Sequence, residues 1–248
     1  GVSAHPYRGS SAPEGGDILR DRLDPDGFAK EIADFLDLAR EYTPGKKTLP
    51  LWLTEIGYSV SATRGYSKVP TEARQADYLS RLMLLLFDLK LGGVALEGVF
   101  WYDLKQDETK GDEYEGNFGS VSRDVSRTRP AWSALRRLST FFGKSDDWSR
   151  AKTEVASLNG SDSIKVLSLK RAGDGATVVA FWRMQQRQWA DEDFATTLTL
   201  AVPAGVRSVT LHDLNEDRPR KIGFTANAGR VTIPVAVSAR AAWVELEP

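Results

Sequence analysis

The apolar pattern of this chain changes its period once, and that change limits the folds open to it. Up to about residue 142, short apolar runs alternate with segments whose apolar residues recur at helical spacing. Beyond residue 150 the runs are short and β-like, with turn signals between them and no helical spacing. A single alternating pattern would allow one uniform architecture; this break predicts two.

In the first part, Gly1-Val2-Ser3-Ala4-His5-Pro6-Tyr7 reads as the end of a strand, followed by a polar, glycine-rich loop over 8–16. Phe28, Ile32, Phe35, Leu36 and Ala39 predict a helix over 26–42, closed by Pro44-Gly45. Residues 49–55 form a nearly continuous apolar run ending in Thr54-Glu55, the pattern of a parallel strand covered on both faces. A loop with Arg64, Gly65 and Tyr66 leads to Thr71, suited to cap a helix that runs to about 89 with Glu72 in its first turn. Gly92-Gly93 precedes a third apolar run over 94–104, and Pro130 suits the first position of a helix over 130–142. Strand then helix, three times over, predicts a parallel α/β architecture. After a polar linker at 143–150, seven runs at 154–158, 164–170, 177–182, 196–202, 208–211, 230–234 and 241–247 predict an antiparallel β-sandwich. Asn159-Gly160 and Gly173-Asp174-Gly175 are among its turns. The expected domains are 1–143 and 151–248.

Charge and composition exclude several functions. With 33 basic and 34 acidic residues the net charge is -1, so no long-range field gathers nucleic acid. The chain has no cysteine, which removes disulfides, thiolate metal sites and thiol nucleophiles. Its two histidines, His5 and His212, are far apart, and neither a metal nor a cofactor is expected. The acidic residues Asp107, Glu108, Asp112, Glu113 and Glu115 do not follow the spacing of a calcium loop and read as a solvated run. The apolar run 82–89 is broken by Asp88 and falls short of the roughly 18 residues of a membrane span. The first residues lack a basic stretch before an apolar one, and the compartment is left open between secreted and cytoplasmic.

In parallel α/β folds the chemistry gathers at the C-terminal ends of the strands. Here those ends carry His5 and Tyr7, then Glu55, then Trp101 and Asp103, each pair spaced two apart so that both members face one side. A carboxylate closing an apolar strand is costly unless it is hydrogen-bonded or opens into a cleft. Glu55 could simply accept hydrogen bonds at the rim; the alternative is that it attacks the anomeric carbon of a glycoside, as retaining hydrolysis requires. Tyr7 is then the neighbour that orients it, His5 a hydrogen-bonding group for a substrate hydroxyl or a carboxylate, and Trp101 a stacking platform. Tyr58 and Asp103 complete the candidate substrate contacts. Ser59 and Ser61 lack a histidine and an acid in consistent context, which argues against a serine hydrolase.

These motifs resemble a known superfamily. Val2-Ser3-Ala4-His5-Pro6-Tyr7, Leu51-Trp52-Leu53-Thr54-Glu55-Ile56-Gly57-Tyr58-Ser59 and Phe100-Trp101-Tyr102-Asp103 look like strands six, seven and eight of the clan A glycoside hydrolases, retaining enzymes built on a (β/α)8 barrel. Asn117-Phe118-Gly119 and Arg129-Pro130-Ala131-Trp132 are similar to the segment after the last strand there. The nearest members are the xylosidase and iduronidase-like families and their cellulase-like relatives, many with an appended β-sandwich. The resemblance implies Glu55 as nucleophile, His5 and Tyr7 lining its cleft, Trp101 as platform and a carbohydrate as substrate. One element of the superfamily is absent: the proton-donating glutamate after asparagine at the end of strand four. No Asn-Glu precedes His5, and Asn215-Glu216 lies in the later β region. The expectation is therefore a partial (β/α)8 TIM barrel, strands six to eight, whose partner is an N-terminal portion carrying strands one to five. The alternative is an inactive carbohydrate-binding or structural module derived from such an enzyme. In the β region, Trp182 and Trp189 are candidate sugar contacts, against a role in bracing the barrel.

Overall fold

The computed structural model describes residues 1–9, 11–14, 26–61, 70–107, 114–151, 154–158, 164–184, 194–201 and 205–248. Arg64, Gly65, Tyr66, Glu108, Asp112, Glu113, the turn Asn159-Gly160 and Trp189 lie outside these. The chain is a mixed α/β protein with an antiparallel β region, and its described residues divide between a compact unit up to Thr140 and another from Phe141 onward.

In the first unit, β1 (Val2–Ala4), β2 (Leu51–Ile56) and β3 (Leu96–Trp101) form a parallel sheet in chain order, with α1 (Gly27–Glu41) and α2 (Glu72–Leu91) between them. A helix between two strands carries the chain back to the end at which the first strand began, which is the crossover that parallel pairing requires. One face of the sheet is dry. Leu51, Leu53 and Ile56 pack there against Phe28 and Ile32 of α1 and Tyr78, Leu82 and Leu86 of α2. The other face is open among the described residues: the Trp52 and Phe100 rings stack on one another at 6.2 Å and remain 41% and 53% exposed. The run that reads as covered on both faces is thus covered on one.

Helix α2 is capped as its sequence predicts, the Thr71 side chain accepting from the Arg74 N–H at 3.1 Å. Its first half breaks the amphipathic rule, since Arg74, Gln75, Asp77, Ser80 and Arg81 are all buried. Such groups are costly to bury unpaired. Arg81 meets the wholly buried Glu14 through two N–H···O contacts, the Nε one at 2.8 Å. Helix α3 (Pro130–Phe142) comes next, opened by proline as predicted.

The second unit contains β4 (Trp148–Arg150), β5 (Glu154–Leu158), β6 (Ile164–Arg171), β7 (Thr177–Arg183), β8 (Phe194–Ala201), β9 (Ser208–Asp213), β10 (Arg220–Lys221), β11 (Thr225–Asn227), β12 (Arg230–Val237) and β13 (Ala242–Glu247). They form a six-stranded sheet, β10-β9-β13-β7-β6-β4, and a four-stranded one, β11-β12-β8-β5, antiparallel throughout. Alternate residues of both enter one core, among them Val179, Phe181, Leu198, Leu200, Ile233 and Val244. Three strands go beyond the seven expected: β4 lies in the presumed linker, and β10 and β11 are too short to show a period. Trp182 is fully buried, which removes it as a sugar contact. Among the described residues no helix is long and apolar enough to cross a membrane.

Candidate active site

The placement of Glu55 depends on an irregularity in β2. Leu53 pairs with Val99 and Ile56 with Trp101, so three steps along β2 oppose two along β3. This is a β-bulge, which inserts an extra residue and re-aims the side chains beyond it. Strict alternation would put Glu55 on the face of Leu51 and Leu53, under the helices. The bulge instead returns Ile56 to the core, 1% exposed, and leaves Thr54 and Glu55 together on the open side. The Glu55 side chain is 41% exposed.

Three groups gather around it. The Tyr7 hydroxyl donates to Glu55 Oε2 at 3.1 Å. His5 Nδ1 lies 3.6 Å from the same oxygen, beyond a good hydrogen bond, while its Nε2 is 2.9 Å from Thr54 Oγ1. Burial, and next the hydrogen bond to Glu55, push the Tyr7 phenol far above its ordinary range, so it remains a donor at any physiological pH. The Tyr7 ring meets Phe118 edge-on at 5.6 Å and Tyr102 at 6.4 Å. Tyr102 is partly exposed, and its phenol is likewise raised, by burial and then by the charges of Asp103, Glu115, Glu55 and Asp107.

The other predicted contacts lie elsewhere. Trp101 pairs with Ile56 and packs on Tyr58 at 6.3 Å, with its indole nitrogen buried, so it belongs to the helix-covered face. Tyr58 is 1% exposed, against Tyr78 at 4.8 Å, and is a core residue. Burial raises its phenol too. Asp103 uses its carboxylate locally, accepting from the Leu104 N–H. Ser59 is buried and donates to the Tyr114 carbonyl at 2.7 Å, far from the role of a nucleophile. Tyr102 and Thr54 are the site neighbours that alternation missed: counting by two from Phe100 on the open side reaches Tyr102, whereas counting from Asp103 selects Trp101. Among the described residues no group of three or more His, Cys, Asp or Glu side chains could hold a metal ion.

Many solved structures resemble this chain, three of them as follows. A family 39 glycoside hydrolase from Bacteroides cellulosilyticus matches 100% of this chain over 44% of its own, at 22% identity and a TM-score of 0.66. AbfB, a family 51 α-L-arabinofuranosidase from Bifidobacterium longum, matches 99% of this chain over 52% of its own, at 15% identity and a TM-score of 0.55. CelM2, a bifunctional glucanase-xylanase from a metagenome library, matches 99% over 43%, at 12% identity and a TM-score of 0.51. The chain has the fold of the part of each that it matches. At these identities the likeness to the three hydrolases is one of fold, and the chain spans about half of their length. No family model and no curated protein matches the sequence.

Proposed function

We propose that this chain carries the nucleophile of a retaining glycoside hydrolase, and that Glu55 is that nucleophile. The observation that carries the reading is the bulge that turns the Glu55 carboxylate out of the helix-covered face, where the Tyr7 hydroxyl orients it at 3.1 Å. A carboxylate with one oxygen held and its side chain 41% exposed is arranged to attack, not merely to fill hydrogen-bonding capacity at a rim. In the first step it forms a glycosyl ester as the leaving oxygen takes a proton from a second carboxyl group; water then cleaves the ester. The two groups must stand about 5 to 5.5 Å apart. His5 and Tyr102, on the same side, are placed to contact the sugar, with the Tyr102 ring in place of Trp101 as the flat surface. The chemistry needs no cofactor.

In this reading β1, β2 and β3 are strands six to eight of a (β/α)8 barrel within residues 1–143, and residues 151–248 are an appended β-sandwich. The likeness to glycoside hydrolases about twice as long supports it, as does the exposed Trp52 and Phe100 pair, which strands one to five would cover. The proton donor is assigned to those strands. The test is Glu55→Gln in the full-length protein, which keeps the shape and removes the charge. It should abolish glycoside cleavage, and a fluorinated sugar should label Glu55 covalently in the parent protein. Near-normal turnover in the variant would sink the assignment; a full-length parent without activity would favour the carbohydrate-binding module.

A further inference from the structure

We infer that Gln75 is a positioning residue for the Tyr7–Glu55 pair, acting by clamping the two backbone segments that flank it. Gln75 is wholly buried in the first half of α2. Its amide nitrogen donates to the Tyr58 carbonyl at 2.7 Å and to the Phe118 carbonyl at 2.9 Å. Glutamine has two N–H donors on one atom, so a single side chain satisfies both carbonyls. Leucine or methionine would fill the same volume and satisfy neither. Burying a carboxamide is costly unless it is hydrogen-bonded, and here both donors are used on the loops around the site while Oε1 has no partner among the described residues.

Each clamped segment leads directly to the Tyr7–Glu55 pair. Tyr58 lies three residues past Glu55, on the segment that leaves the bulge. There Gly57 allows an unusually close approach: a Cβ on it would stand 1.7 Å from the Tyr102 carbonyl oxygen. The Tyr102 N–H in turn donates to the Ile56 carbonyl at 2.9 Å. Phe118, 2% exposed, presents its ring edge-on to Tyr7 at 5.6 Å and to Tyr102 at 5.3 Å. Its backbone neighbours are also held, since Arg129 donates to the carbonyls of Asn117 and Gly119 at 3.1 and 2.6 Å. Gln75 donates to both segments at once, from the side of α2. Together with the Val60 N–H, which donates to the Asn117 carbonyl at 3.1 Å, it fixes the distance between the Glu55 loop and the Phe118 ring, and that ring sets where the Tyr7 hydroxyl points.

The inference deepens the proposed function and rests on it for its kinetic arm, so the test has a second arm that does not. Tyrosines carrying 13C at Cζ are observed by NMR in the full-length protein, with Tyr7 assigned by the signal lost in Tyr7→Phe. In the parent, Glu55→Gln should move the Tyr7 signal, because the hydroxyl's acceptor changes from carboxylate to amide. In a Gln75→Met background, Glu55→Gln should leave the Tyr7 signal where it was. In kinetics, Gln75→Met should lower kcat by about ten- to a hundredfold, as displacement of a reacting group does, with KM nearly unchanged. Adding Tyr7→Phe should cost little more, since both changes remove one interaction. Should Gln75→Met not fold, Phe118→Leu, which keeps the backbone clamp and removes the ring, must uncouple Tyr7 from Glu55 in the same NMR comparison. A Tyr7 signal that still responds to Glu55→Gln in either background overturns the inference, whatever the activity. Turnover that survives Glu55→Gln overturns the nucleophile assignment and leaves the NMR arm to decide on Gln75.

Discussion

Replacing Glu14 by glutamine tests whether the charged core of the first unit is stabilising as paired. Glu14 and Arg81 are both 0% exposed, and the guanidinium meets the carboxylate through two of its nitrogens. Arg81 also lies over the Tyr78 ring at 5.4 Å. Glutamine keeps the shape but removes the charge, and one of its terminal groups then directs N–H toward N–H. Breaking a buried pair in this way costs about 3 to 5 kcal/mol, because a guanidinium stays buried without its counter-charge. At a urea m-value of about 2 kcal/mol/M the midpoint should fall by about 2 M. The control is Glu216→Gln, whose partner Arg220 is 54% exposed, and where an exposed pair contributes about 0 to 1 kcal/mol. Replacing both partners, Glu14→Leu with Arg81→Met, should recover most of the loss, since apolar groups of similar size substitute well for a buried pair. The assay is urea unfolding monitored by far-UV circular dichroism. A Glu14→Gln midpoint within about 0.3 M of the parent, or a double variant worse than the single one, would refute the reasoning.

Three further substitutions probe other parts of the structure. Gly57→Ala places a Cβ 1.7 Å from a backbone oxygen, which cannot swing aside, and should cost about 3 kcal/mol or more; Gly98→Ala meets only side chains, the Trp52 ring at 2.7 Å and the Phe100 ring at 3.4 Å, and should cost much less in thermal unfolding. In the second unit, the hydrogen bond from His212, and after it Arg171, holds the Glu245 carboxyl below its ordinary 4.5 despite burial. A carboxyl lowered on folding contributes stability that is present above its unfolded value and lost as pH falls through the folded one. Thermal stability should therefore drop below about pH 4.5 more steeply in the parent than in Glu245→Gln. Equal slopes would show that the carboxyl is not held low.

Much of the fold was legible because it rests on local periodicity. The spacing of Phe28 and Ile32 marks a helix face, and these residues do form the core against Leu51 and Leu53. Thr71 as a cap and Pro130 as a helix start are local chemistry as well. Strands β10 and β11 had no such signal, because two or three residues cannot establish a period. Within the site, Tyr7 beside Glu55 is expected from adjacent parallel strands whose ends align, and the 3.1 Å hydrogen bond agrees.

In the first unit, the order of strands and helices, and the residues that follow each strand, were therefore determined by the sequence itself. Which of those residues share a face was decided by tertiary structure. Alternation assumes an unbroken ladder, and the ladder between β2 and β3 gains a residue between Leu53 and Ile56. That one insertion moves Glu55 out from under α1 and α2, and the pairing of Trp101 with the buried Ile56 leaves Tyr102 as the aromatic ring on the Glu55 side. The role of Gln75 was hidden for the same reason: its two acceptors, Tyr58 and Phe118, are 17 and 43 residues away in the chain and meet only once the sheet and α2 have packed.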